Sequence, residues 1–509
     1  MRKSTISTLW ASATGLLLAV LLSSCSAQDT AEGDTPAKDK ETRQGPPLIL
    51  LISIDTLRAD HLGLYGHHRF TSPVLDAFAA EGTIFEDASS SAPWTLPAHA
   101  SMLTGLYPRK HRVLTFDTAL PPEIPTLASK MSGGGYQTAA VVNSAWLTKD
   151  MYGITRDFDK YLFVDDTQER RAPNSWITDQ AIEWIREARD QPIFLFVHYY
   201  DVHSDYASLP QYERIFVTPY TGDADGTGWQ LAKASFEDDY LALCHENYDP
   251  AKCRIGTLEK YLAVDRTIQK ITFDDDDLRH IEELYDAGIR QLDNELGRFF
   301  SILESEGRLE EALIVITSDH GEEFMDHGRM DHFLTMYQEV LRVPLILRGP
   351  GIPAGQRIAT PVSLVDLSPT ILSIAGLEEK NSSDGLDLSP LLLGREHPSF
   401  ESRAIYGEAS GGLTYEKMME GVFPIYRSLR RGRHKIIHDS KTQKWLLYDL
   451  ESDPGESRDL SEEKPEITRR LAAEMRERYR DFDPTPSPQN RVELEVEQLE
   501  RLRALGYVP

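Results

Sequence analysis

Three apolar runs in this chain end in side chains that bind metal ions. Leu48 to Ile54 runs into Asp55, Ile193 to Val197 into His198, Asp201 and His203, and Leu313 to Thr317 into Asp319 and His320. One Asp after a strand means little, because Asp often caps the helix that follows. Three strands ending in Asp and His together point to a shared divalent cation held by Asp55, Asp319 and His320. A mixed oxygen and imidazole set suits Mn2+ or Zn2+. A fourth element is Thr95-Leu96-Pro97-Ala98-His99, running on to Gly105. Thr95 stands where a helix begins, with Pro97 in its first turn and Gly105 at its end. A hydroxyl there lies along free backbone N–H groups and the positive end of the helix dipole. Both favour an attacking alkoxide and an anionic substrate group. A threonine hydroxyl is a weak nucleophile at neutral pH, and metal coordination is the usual remedy, so Thr95 joins the metal set. A plain N-cap role for Thr95 stays open beside this reading.

These side chains need a scaffold that brings strand ends together. The three runs are continuous rather than alternating, as in strands covered on both faces. Between them, residues 278 to 304 carry Ile281, Leu284, Ile289, Leu292 and Leu296 at helical spacing. Alternating strands and helices imply an α/β fold with a doubly wound, mostly parallel sheet, whose ligands bind at the carboxyl ends of the strands. Val343 to Leu347 adds a strand before the Gly349-Pro350-Gly351 turn. The catalytic domain is expected over 47–395, with an insertion at 204–277 that forms pocket walls. The acidic run Asp274 to Asp277 reads as a solvated helix start. A small α+β subdomain follows over 396–482. Tyr426 to His438 and Lys444 to Leu450 are its antiparallel strands, and a helix starts near Pro465. Residues 483–509 are a Pro-rich linker and a terminal helix.

The ends carry other signals. Arg2, Lys3 and the apolar run Leu16 to Leu22 precede Leu22-Ser23-Ser24-Cys25. That is a lipoprotein signal over 1–24 with Cys25 as the lipidated residue, followed by a flexible tether over 25–46. Ser26 after Cys25 places the protein in the cell envelope, on an outer membrane facing the periplasm or the exterior, with a membrane partner through the anchor. In such an oxidising compartment Cys244 and Cys253 read as a disulfide. The 509 residues carry 54 Lys and Arg against 81 Asp and Glu, a formal charge of -27. Nucleic acid is excluded as a partner, since a phosphate backbone is held by a basic surface. An anionic substrate would be repelled at long range and needs local positive charge, most simply a metal ion.

At this point the residues match a family. The chain resembles the sulfatase family of the alkaline phosphatase superfamily, through SIDTLRADHLGLYG (53–66), TLPAHASMLTGLYPRKH (95–111), HYYDVHSDY (198–206), TSDHGEEFMDHG (317–328), RVPLILRGPG (342–351) and LYDLESDPGESRDL (447–460). The resemblance implies a Ca2+-type cation site and an ester substrate on a glycan, a lipid or a small molecule. The departures are informative. The family pattern C/S-x-P-x-R, whose first residue matures to formylglycine, is Thr95-Leu96-Pro97-Ala98-His99 here. Two adjacent Asp become Asp55-Thr56, the G-K-W-H element becomes Val142-Asn143-Ser144-Ala145, and His332 aligns with a late Lys. A Thr nucleophile resembles the phosphodiesterase and phosphonate hydrolase branches, so phosphoesters are favoured over sulfate esters. His99, Asn143 and His332 are then expected to steady charge on the non-bridging oxygens, and His203 to protonate the leaving group. A single metal is favoured. A second ion on Asp201, His203 and His332 is the alternative, and His327 is left between a supporting and a structural role. A phospho-alcohol transferase and a non-catalytic glycan-binding lipoprotein are the competing functions.

Overall fold

The computed structural model describes residues 45–149, 151–164, 173–235, 271–379, 383–395, 397–410, 418 and 425–492. Cys25, Cys244, Cys253, the signal, the tether up to residue 44 and the terminal helix beyond 492 lie outside the described residues.

The strands, in chain order, are β1 (Leu48–Ile54), β2 (Thr83–Ser89), β3 (Gln137–Val142), β4 (Lys160–Phe163), β5 (Ile193–Tyr199), β6 (Ala312–Ser318), β7 (Glu323–Phe324), β8 (Met330–Asp331), β9 (Arg342–Arg348), β10 (Gln356–Ile358), β11 (Val362–Ser363), β12 (Ala404–Ala409), β13 (Tyr426–Arg431), β14 (His434–Asp439) and β15 (Trp445–Asp449). Nine of them form one sheet, in the order β10-β2-β9-β6-β1-β5-β3-β4 with β11 beside β2. Pairing is parallel from β6 through β1, β5 and β3 to β4. Only β9 runs against its neighbours β2 and β6. The 343–347 run is therefore a strand, but an antiparallel one.

Both faces of this sheet are covered, which is why its strands read as unbroken apolar runs. Ile49 and Leu51 of β1 pack with Phe194 and Phe196 of β5 and with Leu96 and Ala100 of the helix Thr95–Thr104. Leu48, Leu50, Ile52 and Ile54 pack on the opposite side against Ile281, Leu292 and Leu296 of the helix Asp275–Ser305. That helix begins in the acidic run as expected: the Asp274 carboxylate accepts from the N–H groups of Asp276 and Asp277, and Asp277 reaches back to Asp274.

The C-terminal sheet is antiparallel, in the order β12-β13-β14-β15. The stretch from Tyr426 to His438 is a hairpin and not one strand, because Gly432 takes a left-handed φ of 58° and turns the chain. One face of the sheet packs on the helix Pro465–Tyr479 through Leu429, Ile436, Leu447, Leu471 and Met475. The other packs through Ala409, Ile437 and Tyr448 on Met336 and Leu341, in the segment before β9.

Candidate active site

Register and alternation bring the predicted ligands together. Ile54 of β1 pairs with Ser318 of β6 and with Tyr199 of β5. Asp55 and Asp319 are each the next residue, so they emerge side by side at the carboxyl end of the sheet. Successive strand residues point to opposite faces. The alternation that buries Ile49 and Leu51 under the Thr95–Thr104 helix sends Ser53 and Asp55 to the same side. Phe194, Phe196 and His198 of β5 follow the same rule. One ligand atom each from Asp55, Asp319 and His320 lies within 4.8 Å of the others, and all three residues are buried.

The histidine tautomers decide what this cluster can hold. His320 Nδ1 lies 2.9 Å from the carbonyl oxygen of Gly321. A carbonyl only accepts, so the ring proton sits on Nδ1 and Nε2 presents a lone pair. That lone pair faces Asp319 Oδ2 at 3.3 Å, Asp55 Oδ1 at 3.5 Å and Thr95 Oγ1 at 3.5 Å. Burial, with charged His332 beside it, keeps His320 neutral, with its pKa well below the usual value. Burial and the like charge of Asp55 push the Asp319 carboxyl well above the usual range. Two carboxylates, an imidazole lone pair and a hydroxyl converging in a fully buried site fit a divalent cation.

Thr95 is the first residue of its helix, after the extended N-cap residue Trp94, whose own side chain makes no capping bond. The N–H groups of Thr95 and Leu96 precede the first intrahelical bond, from Ala98 N to Trp94 O at 3.3 Å. The hydroxyl thus stands among the cation's ligands at a positive helix end. Strain gathers around this point. Thr56, directly after Asp55, has a φ of 55°, and Asp331 and Phe333 on either side of His332 have φ of 71° and 89°. Such values are outliers for branched or bulky residues and persist only where the surroundings enforce them. Thr56 is enforced by Tyr285, whose hydroxyl donates to its carbonyl at 2.8 Å, and by Leu57 N donating to Ser318 Oγ at 2.9 Å.

Other expected site residues fall into place differently. Both ring nitrogens of His99 are engaged by protein groups. It is fully buried, its Nδ1 donates to the Thr95 carbonyl at 2.9 Å, and its Nε2 meets the Ser53 hydroxyl at 3.0 Å. It ties the first turn of the helix to β1. Burial and neighbouring His198 hold its pKa well below normal. Asn143 is also fully buried, with Oδ1 3.2 Å from His198 Nδ1. His332 lies over the site, its ring 4.5 Å from that of His320 and 5.0 Å from that of His203. Burial alone would lower its pKa, but Asp331 and Glu322, at 2.8 and 3.0 Å from Nδ1, raise it well above the usual value. The clamp on Nδ1 thus favours the charged ring, and Nε2 has no hydrogen-bond partner among the described residues. Glu322, in the run after His320, was not singled out in the sequence, where nothing marks it as buried against a histidine.

His203 stacks on Tyr200 with ring centroids 4.2 Å apart, and Ser204 Oγ lies 3.0 Å from its Nδ1. Burial, then the charge of His332, keeps it neutral. The two rings are thus shifted in opposite directions, His332 toward the charged form and His203 toward the neutral one. The alternative second metal set is not assembled among the described residues. Asp201, His203 and His332 do not share a cluster, and His332 groups with Glu322 and Asp331 instead. Asp201 and His203 lie in the turn after β5, outside the alternation that aims His198 inward. His327 is structural: it stacks on Tyr337 at 3.6 Å, and its Nδ1 meets Glu339 Oε1 at 2.5 Å.

Comparison with known proteins finds matches over most of the chain. The family model Sulfatase matches residues 47–377, and the model N-sulphoglucosamine sulphohydrolase, C-terminal, matches residues 325–482. Arylsulfatase K of Mus musculus is 27% identical over 478 residues, covering 87% of this chain and 81% of its own length. Arylsulfatase K of Homo sapiens is 26% identical over 464 residues, covering 84% and 81%. Among solved structures, a protein in complex with its substrate D-glucosamine-2-N,6-O-disulfate superposes with a TM-score of 0.66 at 21% identity, covering 86% of this chain and 99% of its own. A phosphonate monoester hydrolase from Silicibacter pomeroyi gives 0.65 at 20% identity, covering 88% and 99%. These structures share the fold, a mostly parallel central sheet with an antiparallel C-terminal sheet.

Proposed function

The chain belongs to the sulfatase family and is an ester hydrolase, and from that premise we propose that it cleaves phosphate, phosphonate or sulfate esters through Thr95 with one divalent cation, phosphoesters being favoured. The observation that carries this reading is the Thr95 hydroxyl at a helix N-terminus, 3.5 Å from the His320 lone pair that also faces the two carboxylates. Asp55, Asp319 and His320 would hold the ion, with Thr95 beside them. When bound, it supplies charge stabilisation and makes a hydroxyl more acidic near neutral pH.

The protein's own groups do the rest. Thr95 Oγ1, its proton released to solvent, forms the bond to phosphorus or sulfur while the bond to the ester oxygen breaks on the opposite side. The helix N-terminus and the His332 imidazolium bind the non-bridging oxygens, where developing charge is largest. His332, with His203 against it, is the reservoir for the proton that the leaving oxygen takes. Water then cleaves the Thr95 ester and frees the product. Preference for phosphoesters rests on Thr95 itself: a threonine is not expected to mature to formylglycine, so it attacks as a plain alkoxide. A fold shared with phosphonate monoester hydrolases supports the same reading, while the arylsulfatase relatives keep sulfate esters in view. Cys25 belongs to this proposal as a lipid anchor holding the enzyme at the cell envelope.

The test is a side-by-side assay of aryl sulfate, aryl phosphate monoester and diester, and aryl phosphonate ester, each with Ca2+, Mn2+ and Zn2+. The expected result is the highest kcat/KM on a phosphoester or phosphonate with Mn2+ or Zn2+. Aryl sulfate turning over fastest would overturn the phosphoester preference.

A further inference from the structure

One buried histidine at the site belongs to no role assigned so far. His198 is fully buried at the end of β5, in register with Ser53. Its Nε2 lies 3.3 Å from Asp55 Oδ2, the carboxylate oxygen turned away from His320. Its Nδ1 lies 3.2 Å from Asn143 Oδ1. In this pair of side chains His198 Nε2 and Asn143 Nδ2 are buried with no hydrogen bond. Both gaps close together. A carboxylate only accepts, so a ring proton on Nε2 is the tautomer that suits its 3.3 Å approach to Asp55 Oδ2. Nδ1 is then an acceptor and needs a donor. Turning the Asn143 amide by half a turn, which exchanges atoms of nearly equal size, places Nδ2 on Nδ1.

We propose that Asn143 and His198 form a positioning relay, Asn143 Nδ2–H to His198 Nδ1 and His198 Nε2–H to Asp55 Oδ2, that fixes the metal-binding carboxylate. With Oδ2 held, Oδ1 stays turned toward His320 and Thr95. Partners of this kind, one bond removed from a metal, set ligand orientation, and losing one weakens metal affinity about 10- to 100-fold. His198 is thereby distinct from His320: one presents a proton to Asp55, the other a lone pair to the cation site. Asn143, expected to meet substrate, acts through His198 instead.

The relay rests on the metal site proposed above, so the experiment separates the two. Mn2+ is titrated calorimetrically into the metal-free full chain of the wild type and four variants, with circular dichroism on each. His198→Gln keeps an N–H donor near the Nε2 position and is expected to bind within about threefold of the wild type. His198→Phe removes it and is expected to lose about 10- to 100-fold. Asn143→Asp draws the ring proton to Nδ1 and robs Asp55 of its donor, so it is expected to bind more weakly than Asn143→Ala. Equal loss in His198→Gln and His198→Phe, or equal affinity in the two Asn143 variants, overturns the relay while leaving the metal site standing. Should His198→Phe fail to fold, the Asn143 pair decides alone. A wild type that binds no Mn2+ overturns the metal site and the relay with it.

Discussion

Asp319 carries the pH dependence of metal binding. Burial and Asp55 raise its pKa in the metal-free protein, so it still holds a proton at pH values where an ordinary Asp has lost it. A cation must displace that proton, and affinity therefore rises with pH until Asp319 is ionised without help. Mn2+ affinity measured across pH 5 to 8 is expected to increase with pH, with protons released on binding. A flat profile would show that the carboxylate is already ionised. His332 makes a second prediction at this scale. Its Nε2 has no hydrogen-bond partner among the described residues while Asp331 and Glu322 keep it charged. His332→Ala is expected to lower kcat/KM on an anionic ester by about 100-fold, as losing one preorganised donor does, and His332→Lys to recover part of it. Much of this was legible in the sequence. Asp55, Asp319, His320 and Thr95 stand at strand and helix ends, and such positions announce themselves. The contact of His198 with Asp55 did not, because it depends on the register of β5 against β1, which alternation alone leaves open. His99 was misplaced for a related reason: a position one helical turn from Thr95 says nothing about whether its ring nitrogens are already taken.

The element that holds His320 is itself held by the C-terminal sheet. Gly321 N donates to Val340 O at 2.7 Å, so the loop after β6 is bound to the segment before β9. That segment is anchored in turn: Gln338 N donates to Glu456 Oε2 at 2.7 Å, and Glu456 Oε1 pairs with buried Lys435 of β14 at 2.8 Å. Removing one member of a buried pair strands the other charge and costs about 3–5 kcal/mol. Lys435→Met is expected to lose stability in that range by urea denaturation and to reduce kcat as well, because the His320 loop loosens. A loss below about 1 kcal/mol would show that Glu456 is already neutral or paired elsewhere. Gly105 ends the Thr95–Thr104 helix with a φ of 78°, and a Cβ there would stand 2.5 Å from Ser383 Oγ. In the large sheet β1, β5, β6 and β9 were readable because burial on both faces leaves an unmistakable apolar run, while β2, β3, β4, β10 and β11 were not read as strands. The hairpin at Gly432 was not readable, since its two strands read as one polar alternation with a single glycine inside. β12 gave no signal of its own, with Gly407 and Glu408 breaking its pattern.

The whole molecule is strongly acidic, with 81 acidic against 54 basic residues, yet its site takes an anion. The approach of such a substrate is opposed by the overall field, and salt screens that field with a Debye length of about 10 Å at 0.1 M. kcat/KM on an anionic ester is therefore expected to rise with ionic strength between about 10 and 100 mM, the reverse of a steered encounter. A fall over that range would place a local basic funnel at the mouth of the site. The most direct measurement of the central claim is the turnover number of Thr95→Ala on an aryl phosphonate ester, with its Mn2+ affinity measured on the same preparation. Metal binding close to wild type with a loss of about 1000-fold or more in kcat is the predicted outcome, as for other removed nucleophiles. A metal-loaded Thr95→Ala enzyme that turns over at the wild-type rate would contradict it.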